Sequence, residues 1–162
     1  DVKIVVGLGN PGPKYENTFH NVGATVAKML HDVGKFGSLP IEEFIVLDGF
    51  MNQSGLNLYK YLKNSKYELK NCLIIHDDSD LELGTYKISF AKSSAGQRGV
   101  QNIIDQFGSN EFWRLRVGIR KGDEEIRQKA GDFVLKKMSK EDKARVAKAT
   151  LEAWREFFGL GA

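Results

Sequence analysis

The first pattern with chemical potential is Gly7-Leu8-Gly9-Asn10-Pro11-Gly12, which satisfies G-x-G-x-x-G. Such a loop binds the pyrophosphate of a dinucleotide when a helix begins within the glycines. Here Pro13 disfavours helical geometry at Gly12, and the apolar helical periodicity begins only near Val22. The sequence therefore argues against a dinucleotide site. Two interpretations stay open: a tight turn whose glycines permit positive φ, or a turn that presents Asn10 to a site.

Polar side chains also follow three apolar runs of the chain. Asn10 follows the first run, Asn52 follows the second, and His76 and Asp77 end the third. In a mostly parallel sheet, ligands bind at the carboxyl ends of the strands. We therefore expect these imidazole, carboxylate and amide groups to converge on one edge of a sheet.

The elements that must position these groups alternate between strand and helix patterns. Such alternation predicts an α/β fold, a three-layer domain with a mostly parallel sheet, and a half-buried strand over 84–90 is expected to run antiparallel. A capping box, Ser139 to Asp142, predicts the start of the last helix. Strands are predicted over 2–8, 44–47, 72–75, 84–90 and 113–119, and helices over roughly 21–33, after Ser54-Gly55, around Val100–Phe107 and from Ser139 onward.

Composition limits the class of protein. The 162 residues carry a formal net charge of +3, which permits a polyanionic partner without requiring one. One domain over residues 1–162 is expected. No apolar stretch is long enough to span a bilayer and no signal pattern is present, so we expect a location in the cytoplasm or an organelle interior, away from membranes. The single cysteine, Cys72, lies in an apolar run that is typical of a core strand.

Five stretches, in chain order, closely resemble the bacterial-type peptidyl-tRNA hydrolase family. They are VVGLGNPGPKYENTFHNVG, FMNQSG, HDDSDLELGTYKI, SSAGQRGVQNII and FWRLRVGI. The resemblance spans almost the whole chain and implies a mixed sheet flanked by helices. It also implies hydrolysis of the ester between a peptide and the terminal ribose of tRNA, which recycles tRNA from aborted translation. By the same resemblance the enzyme needs no metal and no cofactor.

The resemblance also assigns the reacting groups. His20 matches the family's catalytic base, and Asp77 matches the carboxylate that holds it. An aspartate that accepts from one imidazole nitrogen leaves the other free to take a proton from water. On local chemistry alone, His20 could equally cap a helix, and Asp78 and Asp80 compete with Asp77.

Four further residues match the family's substrate contacts. Asn10 and Asn52 match amides that place the ester and the water, and an amide can both donate and accept. Turn capping is the alternative role for both asparagines. Tyr15 and Met51 match residues that line the peptide channel, although either could be a core residue.

Basic residues supply a candidate surface for RNA. Arg114 and Arg116 alternate with apolar residues, so they are predicted to share one face of a strand. A cluster of lysine and arginine can bind phosphates without reading sequence, which suits an enzyme that acts on many tRNAs. A solvated charged face is the alternative. The predicted phosphate contacts are Lys87, Lys92, Arg98, Arg114 and Arg116, with Lys87 and Arg116 favoured by the resemblance.

The chain departs from the family pattern in three places. Gln97-Arg98 stands where the family has a His-Asn pair, so an active-site amide is replaced by a guanidinium that cannot accept a hydrogen bond. The stretch from Gly34 to Phe50 is about one hairpin shorter than in the family. The chain also ends soon after Phe158, which suggests a shortened C-terminal segment.

Two rival functions follow from these departures and from the glycine loop. Arg98 motivates a catalytically silent relative that binds RNA as an RNA-processing or splicing partner. The joint presence of His20, Asp77, Asn10 and Asn52 argues against it, because binding alone does not need a base with its orienting acid. A nucleotide-dependent oxidoreductase rests on the glycine loop alone. The favoured prediction is a monomeric hydrolase whose partner is peptidyl-tRNA, contacted at its acceptor stem and peptide.

Overall fold

A single five-stranded sheet lies at the centre of the part of the chain that the computed structural model describes, residues 1–34, 41–121 and 135–159. The strands are β1 (Ile4–Gly7), β2 (Glu43–Val46), β3 (Cys72–Glu82), β4 (Tyr86–Phe90) and β5 (Trp113–Arg120). Their order across the sheet is β2-β1-β3-β5-β4. The three pairs from β2 to β5 are parallel, and β4 is antiparallel to β5. This confirms the predicted mixed, mostly parallel sheet.

Helices cover both faces of the sheet and complete the three predicted layers. Within the described residues they are α1 (Val22–Gly34), α2 (Ser54–Lys63), α3 (Arg98–Phe107) and α4 (Lys140–Phe157). Helices α1 and α4 bury Val26, Leu30 and Trp154 in one core cluster. Helices α2 and α3 bury Leu58 and Ile103 in the other. Alternate strand residues enter the two clusters, as the two-residue period of a strand requires.

Strand β3 extends seven residues beyond the predicted end at Ile75. It continues to Glu82 because β5 offers ladder partners to its polar half, pairing His76 with Arg116 and Asp77 with Val117. Polar composition misled the prediction, since a strand inside a sheet is stabilised by its neighbours' backbone. The extension aims three successive side chains, at positions 76–78, alternately at the two faces of the sheet.

Gly7 in the N-terminal loop and Gly23 in α1 permit close packing. Gly12, in contrast, has a φ of 97° and, its chain neighbours apart, no atom of the described residues within 4 Å of a built Cβ, as expected of a tight turn. A Cβ placed on Gly7 would lie 2.6 Å from the carbonyl oxygen of Gly23 and 2.7 Å from the Cβ of Ala27. A Cβ on Gly23 would lie 2.2 Å from the carbonyl oxygen of Ile75. The first turn of α1 is thereby seated against the ends of β1 and β3, and α1 begins ten residues after the last glycine of the pattern. The loop is thus built to bring α1 onto the sheet.

Two expectations concern segments that are only partly covered. The shortened connection from Gly34 to Phe50 includes residues 35–40, and the C-terminal segment includes residues 160–162; both stretches lie outside the described residues.

The capping box at Ser139 is present, with Ser139 Oγ accepting from the Asp142 N–H at 3.0 Å. No helix among the described residues is long and apolar enough to cross a membrane.

Candidate active site

Asn10 is held at the end of β1 by a reciprocal pair of hydrogen bonds. Its backbone N–H donates to Asn21 Oδ1 and its carbonyl accepts from Asn21 Nδ2, each at 2.8 Å. Asn21 is buried at the end of a short 3-10 turn, Phe19–Asn21, that leads into α1. The role of Asn21 in fixing the Asn10 loop could not be seen from the sequence.

The side-chain amide of Asn10 links two parts of the site. Its Oδ1 accepts a hydrogen bond from the Met51 backbone N–H at 2.6 Å. Met51 itself is buried, at the start of the 3-10 turn Met51–Gln53. Because the oxygen is occupied, the NH2 group of Asn10 is the part of the amide that has no partner among the described residues. It is therefore a donor available to a ligand.

His20 and Asp77 form the central pair of the site. His20 Nδ1 lies 2.8 Å from Asp77 Oδ2, and Asp77 is 6% exposed. An ionised carboxylate can only accept, so Nδ1 carries the proton and Nε2 keeps its lone pair. The structure separates the competing carboxylates: Asp78 points to the opposite face, where it binds Arg116, and Asp80 makes no contact with His20.

The surroundings of His20 stabilise the protonated form of its imidazole. Burial lowers the pKa of His20, but the hydrogen bond that His20 donates to Asp77 and the negative charge of Asp77 raise it. Arg98 lowers it, and the net pKa is raised above 6.5. A raised pKa means that the imidazole holds a proton taken from water more strongly, which suits a base. Asp77 is thus both the orienting and the stabilising partner of His20.

Gln97 contributes a contact that sequence reasoning did not assign. Its Nε2 donates to Asp77 Oδ1 at 3.0 Å, so both oxygens of the buried carboxylate are bonded. The signal in the sequence was its position three residues before Val100, which is the spacing of a helix N-cap. That spacing is compatible with a cap, but it gives no indication of the contact with Asp77.

The pair opens into a cavity of about 510 Å³. Its wall is polar on one side, where Asp78 to Asp80 follow Asp77, and it is bounded on another side by the loop before α3. Arg98 is exposed at this wall and has no hydrogen-bond or ionic partner among the described residues. Predicted site residues that line the cavity are Asn10, Tyr15, His20, Asp77 and Arg98.

Asn52 and Met51 occupy different positions from those five. Met51 is 4% exposed and reaches the site through its backbone N–H and its sulfur, 3.4 Å from Gln97 Nε2. Asn52 is exposed and does not line the cavity. The ring of Tyr15 meets Phe50 edge to face at 6.0 Å, so aromatic surface borders the cavity.

The predicted basic surface divides into exposed and buried parts. Lys87 and Lys92 are exposed, and Lys87 lies directly across the ladder from Arg116. Arg116 Nε and Nη2 each lie 2.8 Å from Asp78 Oδ2, so its charge is partly compensated. Because Asp78 also lines the cavity, this basic surface is continuous with it.

Arg114 requires a correction. It was predicted to contact phosphate from an exposed face, but it is 2% exposed and its two terminal nitrogens have no hydrogen-bond partner among the described residues. The register explains this, since Arg114 stands opposite Ile74 and Ser89 in the middle of the sheet, whereas Arg116 lies two residues nearer its edge. Burial lowers its pKa to about 10, so it remains charged at neutral pH.

The arrangement can support base-assisted chemistry. His20 bonds the Asp77 carboxylate through Nδ1, and Nε2 is the ring nitrogen that can accept a proton. No cluster of three or more His, Cys, Asp or Glu that could hold a metal ion occurs among the described residues. The site thus combines a histidine–aspartate pair with a polar cavity at the carboxyl ends of parallel strands in an α/β fold.

Comparison with known proteins names the family. A family model described as peptidyl-tRNA hydrolase matches residues 4–159. The peptidyl-tRNA hydrolase of Wolbachia pipientis wMel is 39% identical over 151 residues, covering 84% of this chain and 81% of the relative. That of Aquifex aeolicus is 34% identical, covering 96% of this chain and 88% of the relative. The chain belongs to the peptidyl-tRNA hydrolase family, as its motifs predicted.

Solved structures agree on the fold. The crystal structure of peptidyl-tRNA hydrolase from Acinetobacter baumannii matches with a TM-score of 0.75 at 22% identity, over 98% of this chain and 95% of that chain. A peptidyl-tRNA hydrolase crystallised with N-propanol matches with a TM-score of 0.74 at 26% identity, over 90% of this chain and 81% of that chain. The family and the named relatives make the chain an enzyme of translation that hydrolyses peptidyl-tRNA.

Proposed function

We propose that His20 is the general base of this hydrolysis. The observation that carries the proposal is the 2.8 Å contact between His20 Nδ1 and Asp77 Oδ2, which leaves Nε2 as a free base in a lining residue of the cavity. Water attacks the ester carbonyl that joins the peptide to the ribose while Nε2 takes its proton. The tetrahedral intermediate then collapses, and the ribose oxygen leaves with the proton that the imidazolium returns.

The developing negative charge on the carbonyl oxygen needs hydrogen-bond donors. The unpartnered NH2 group of Asn10 is one such donor at the cavity wall. Arg98 is a second, and its guanidinium takes the place of the family's asparagine. Because it carries a full charge, it also offers a contact to a phosphate of the tRNA end. Asn52 is a candidate for water or ester placement that needs a substrate to bring it into contact.

Substrate binding extends from the cavity in two directions. Lys87, Lys92 and Arg116 are proposed to contact backbone phosphates of the tRNA, which gives binding without sequence readout. Tyr15 and Phe50 offer aromatic surface to the peptide, whereas Met51, predicted to line the peptide channel, is buried and supports the site from within. We further propose that residues 1–162 act as one domain and as a monomer, in the cytoplasm or an organelle interior.

A catalytically silent RNA-binding protein is the second candidate. Arg98 favours it, because the guanidinium cannot accept a hydrogen bond from a water as an asparagine can. The raised pKa of His20 and its bonded Asp77 oppose it, since a phosphate-binding surface does not need them.

The test is peptide release from N-acetyl-aminoacyl-tRNA by the protein and by its His20→Ala variant. Loss of the base is expected to lower turnover by roughly 10²- to 10⁴-fold, with tRNA affinity nearly unchanged. Release by neither protein, with tRNA still bound, would support the silent relative. In that case Arg98→Asn would test whether the family's amide restores activity.

A further inference from the structure

The side-chain amide of Gln97 makes three contacts inside the site. Its Oε1 accepts from the Val100 backbone N–H at 2.7 Å, as the N-cap of α3. Its Nε2 donates to Asp77 Oδ1 at 3.0 Å and to Met51 Sδ at 3.4 Å. The amide therefore joins the first turn of α3 to the carboxylate that holds His20.

A fixed turn presents this amide to Asp77. Ala95 and Gly96 have φ angles of 51° and 85°, so the backbone reverses direction just before Gln97. Ser94 Oγ donates to Gln101 Oε1 at 2.8 Å and accepts from the Gly96 N–H at 3.3 Å, which secures the turn to α3. Gln97 is thus anchored at its backbone and at its side-chain oxygen, which leaves its NH2 group correctly placed.

We infer that Gln97 is a positioning residue that fixes the rotation of the Asp77 carboxylate, so that Oδ2 faces His20 for the whole reaction. The inference rests on the proposed role of His20 and deepens it. A carboxylate bonded at one oxygen only can rotate about its terminal torsion, which is broad. With Gln97 on Oδ1, rotation would break the bonds at both oxygens.

The residue type at this position has a chemical consequence. Where the sequence motif of the family has a histidine, this chain has an amide, which donates at every pH. The neighbouring Arg98 is not bonded to Asp77 and lines the cavity instead. Of the two residues that depart from the family, Gln97 contacts Asp77 and Arg98 lines the cavity.

Gln97→Glu separates positioning from helix capping. A glutamate keeps the length of the side chain and an oxygen for the Val100 N–H, and negative charge is favourable at a helix N-terminus. The donor to Asp77, however, is replaced by a second negative oxygen. Gln97→Met is the companion variant, since it removes the donor and the cap while leaving the charge of the site unchanged.

The measurements are single-turnover release at saturating enzyme at pH 8, the dissociation constant for uncharged tRNA, the melting temperature, and the pKa of His20 by NMR. We expect release to slow by about 10- to 100-fold in both variants, the scale of a misplaced catalytic group. The tRNA dissociation constant stays within about twofold, because no phosphate contact is removed. In Gln97→Glu the pKa of His20 rises, because added negative charge favours the imidazolium.

The opposite pattern overturns the inference. If Gln97 serves only as a cap, Gln97→Glu releases peptide like the wild type and leaves the pKa of His20 unchanged, while Gln97→Met only lowers the melting temperature. If Gln97→Glu does not fold, a wild-type release rate in Gln97→Met is enough to reject positioning. A wild-type protein that releases no peptide would instead reject the proposed function, which keeps the two failures apart.

Discussion

The end of strand β3 presents two different sites on its two faces. Asp77 is bonded at both oxygens, by His20 from the turn before α1 and by Gln97 from the N-cap of α3. His76 and Asp78, its neighbours in sequence, point to the opposite face toward Arg114 and Arg116. There Asp78 pairs with Arg116, while His76 Nε2 has no hydrogen-bond partner among the described residues.

The difference separates chemistry from binding. Around Asp77 both carboxylate oxygens are bonded by protein, which suits a group that has to be oriented before a substrate arrives. On the opposite face the exposed Lys87 lies across the ladder from Arg116, whose charge is partly compensated by Asp78, while Arg114 is buried. An excess of positive charge suits a polyanion, for which exact placement matters less.

The largest expected effect is on the Asp77 face. Asp77→Asn keeps the shape of the side chain and removes the charge, so the pKa of His20 should fall and its tautomer is no longer enforced. Turnover is expected to drop by roughly 10²- to 10⁴-fold. The measurement is the pH–rate profile of peptide release. Asp80→Asn is the matched control, because it removes the same charge from the cavity wall without touching His20; equal losses in both variants would contradict the comparison.

The buried His76 gives the second effect, on stability. Burial, opposed by a hydrogen bond to the Asp77 carbonyl, lowers its pKa to about 4 from 6.5. Between pH 4 and pH 6.5 the imidazole of His76 binds a proton more tightly in the unfolded state than in the folded state. The contribution of His76 to the free energy of unfolding is therefore fully present only above pH 6.5. It should decrease by about 1.4 kcal/mol per pH unit as the pH falls toward 4. His20, whose pKa is raised, acts in the opposite direction, and its contribution is lost as the pH rises.

Urea unfolding from pH 7 to pH 4 checks this effect. His76→Asn should flatten the pH dependence relative to the wild type, whereas His31→Asn, a change at an exposed histidine of α1, should leave it in place. If the free energy of unfolding of His76→Asn depends on pH as strongly as that of the wild type, His76 is not a buried neutral imidazole.

The same comparison shows what the sequence could predict. Apolar periodicity predicts the three layers and the mostly parallel sheet. The motifs predict that Asn10, His20 and Asp77 lie together. The contact of Gln97 with Asp77 does not, because it depends on a turn through Ala95 and Gly96 that reverses the chain. The burial of Arg114 does not either, since alternation fixes the face of a strand residue but not its depth within the sheet.

Arg114 supplies the smallest expected effect. The guanidinium of Arg114 is buried, and its two terminal nitrogens have no hydrogen-bond partner among the described residues. Replacing it by a side chain of similar volume removes a desolvation cost, so Arg114→Met should raise the free energy of unfolding by about 1 kcal/mol or more. Affinity for tRNA should stay the same because the side chain is not exposed. Arg116→Met is the counterpart: it leaves Asp78 unpaired, lowers stability and reduces the salt dependence of binding. Denaturant titration and tRNA binding at several salt concentrations distinguish the two arginines; weaker tRNA binding by Arg114→Met would mean that it reaches phosphate.

The division of labour between the two faces is tested most directly by one crossed experiment. Single-turnover peptide release and the tRNA dissociation constant are measured together for His20→Ala and for Lys87→Glu, an exposed change on the basic surface. The account predicts that His20→Ala loses release while keeping affinity. It predicts that Lys87→Glu loses affinity and part of its salt dependence while keeping the release rate at saturating enzyme. If each variant loses both properties to the same degree, the two faces do not divide catalysis from binding.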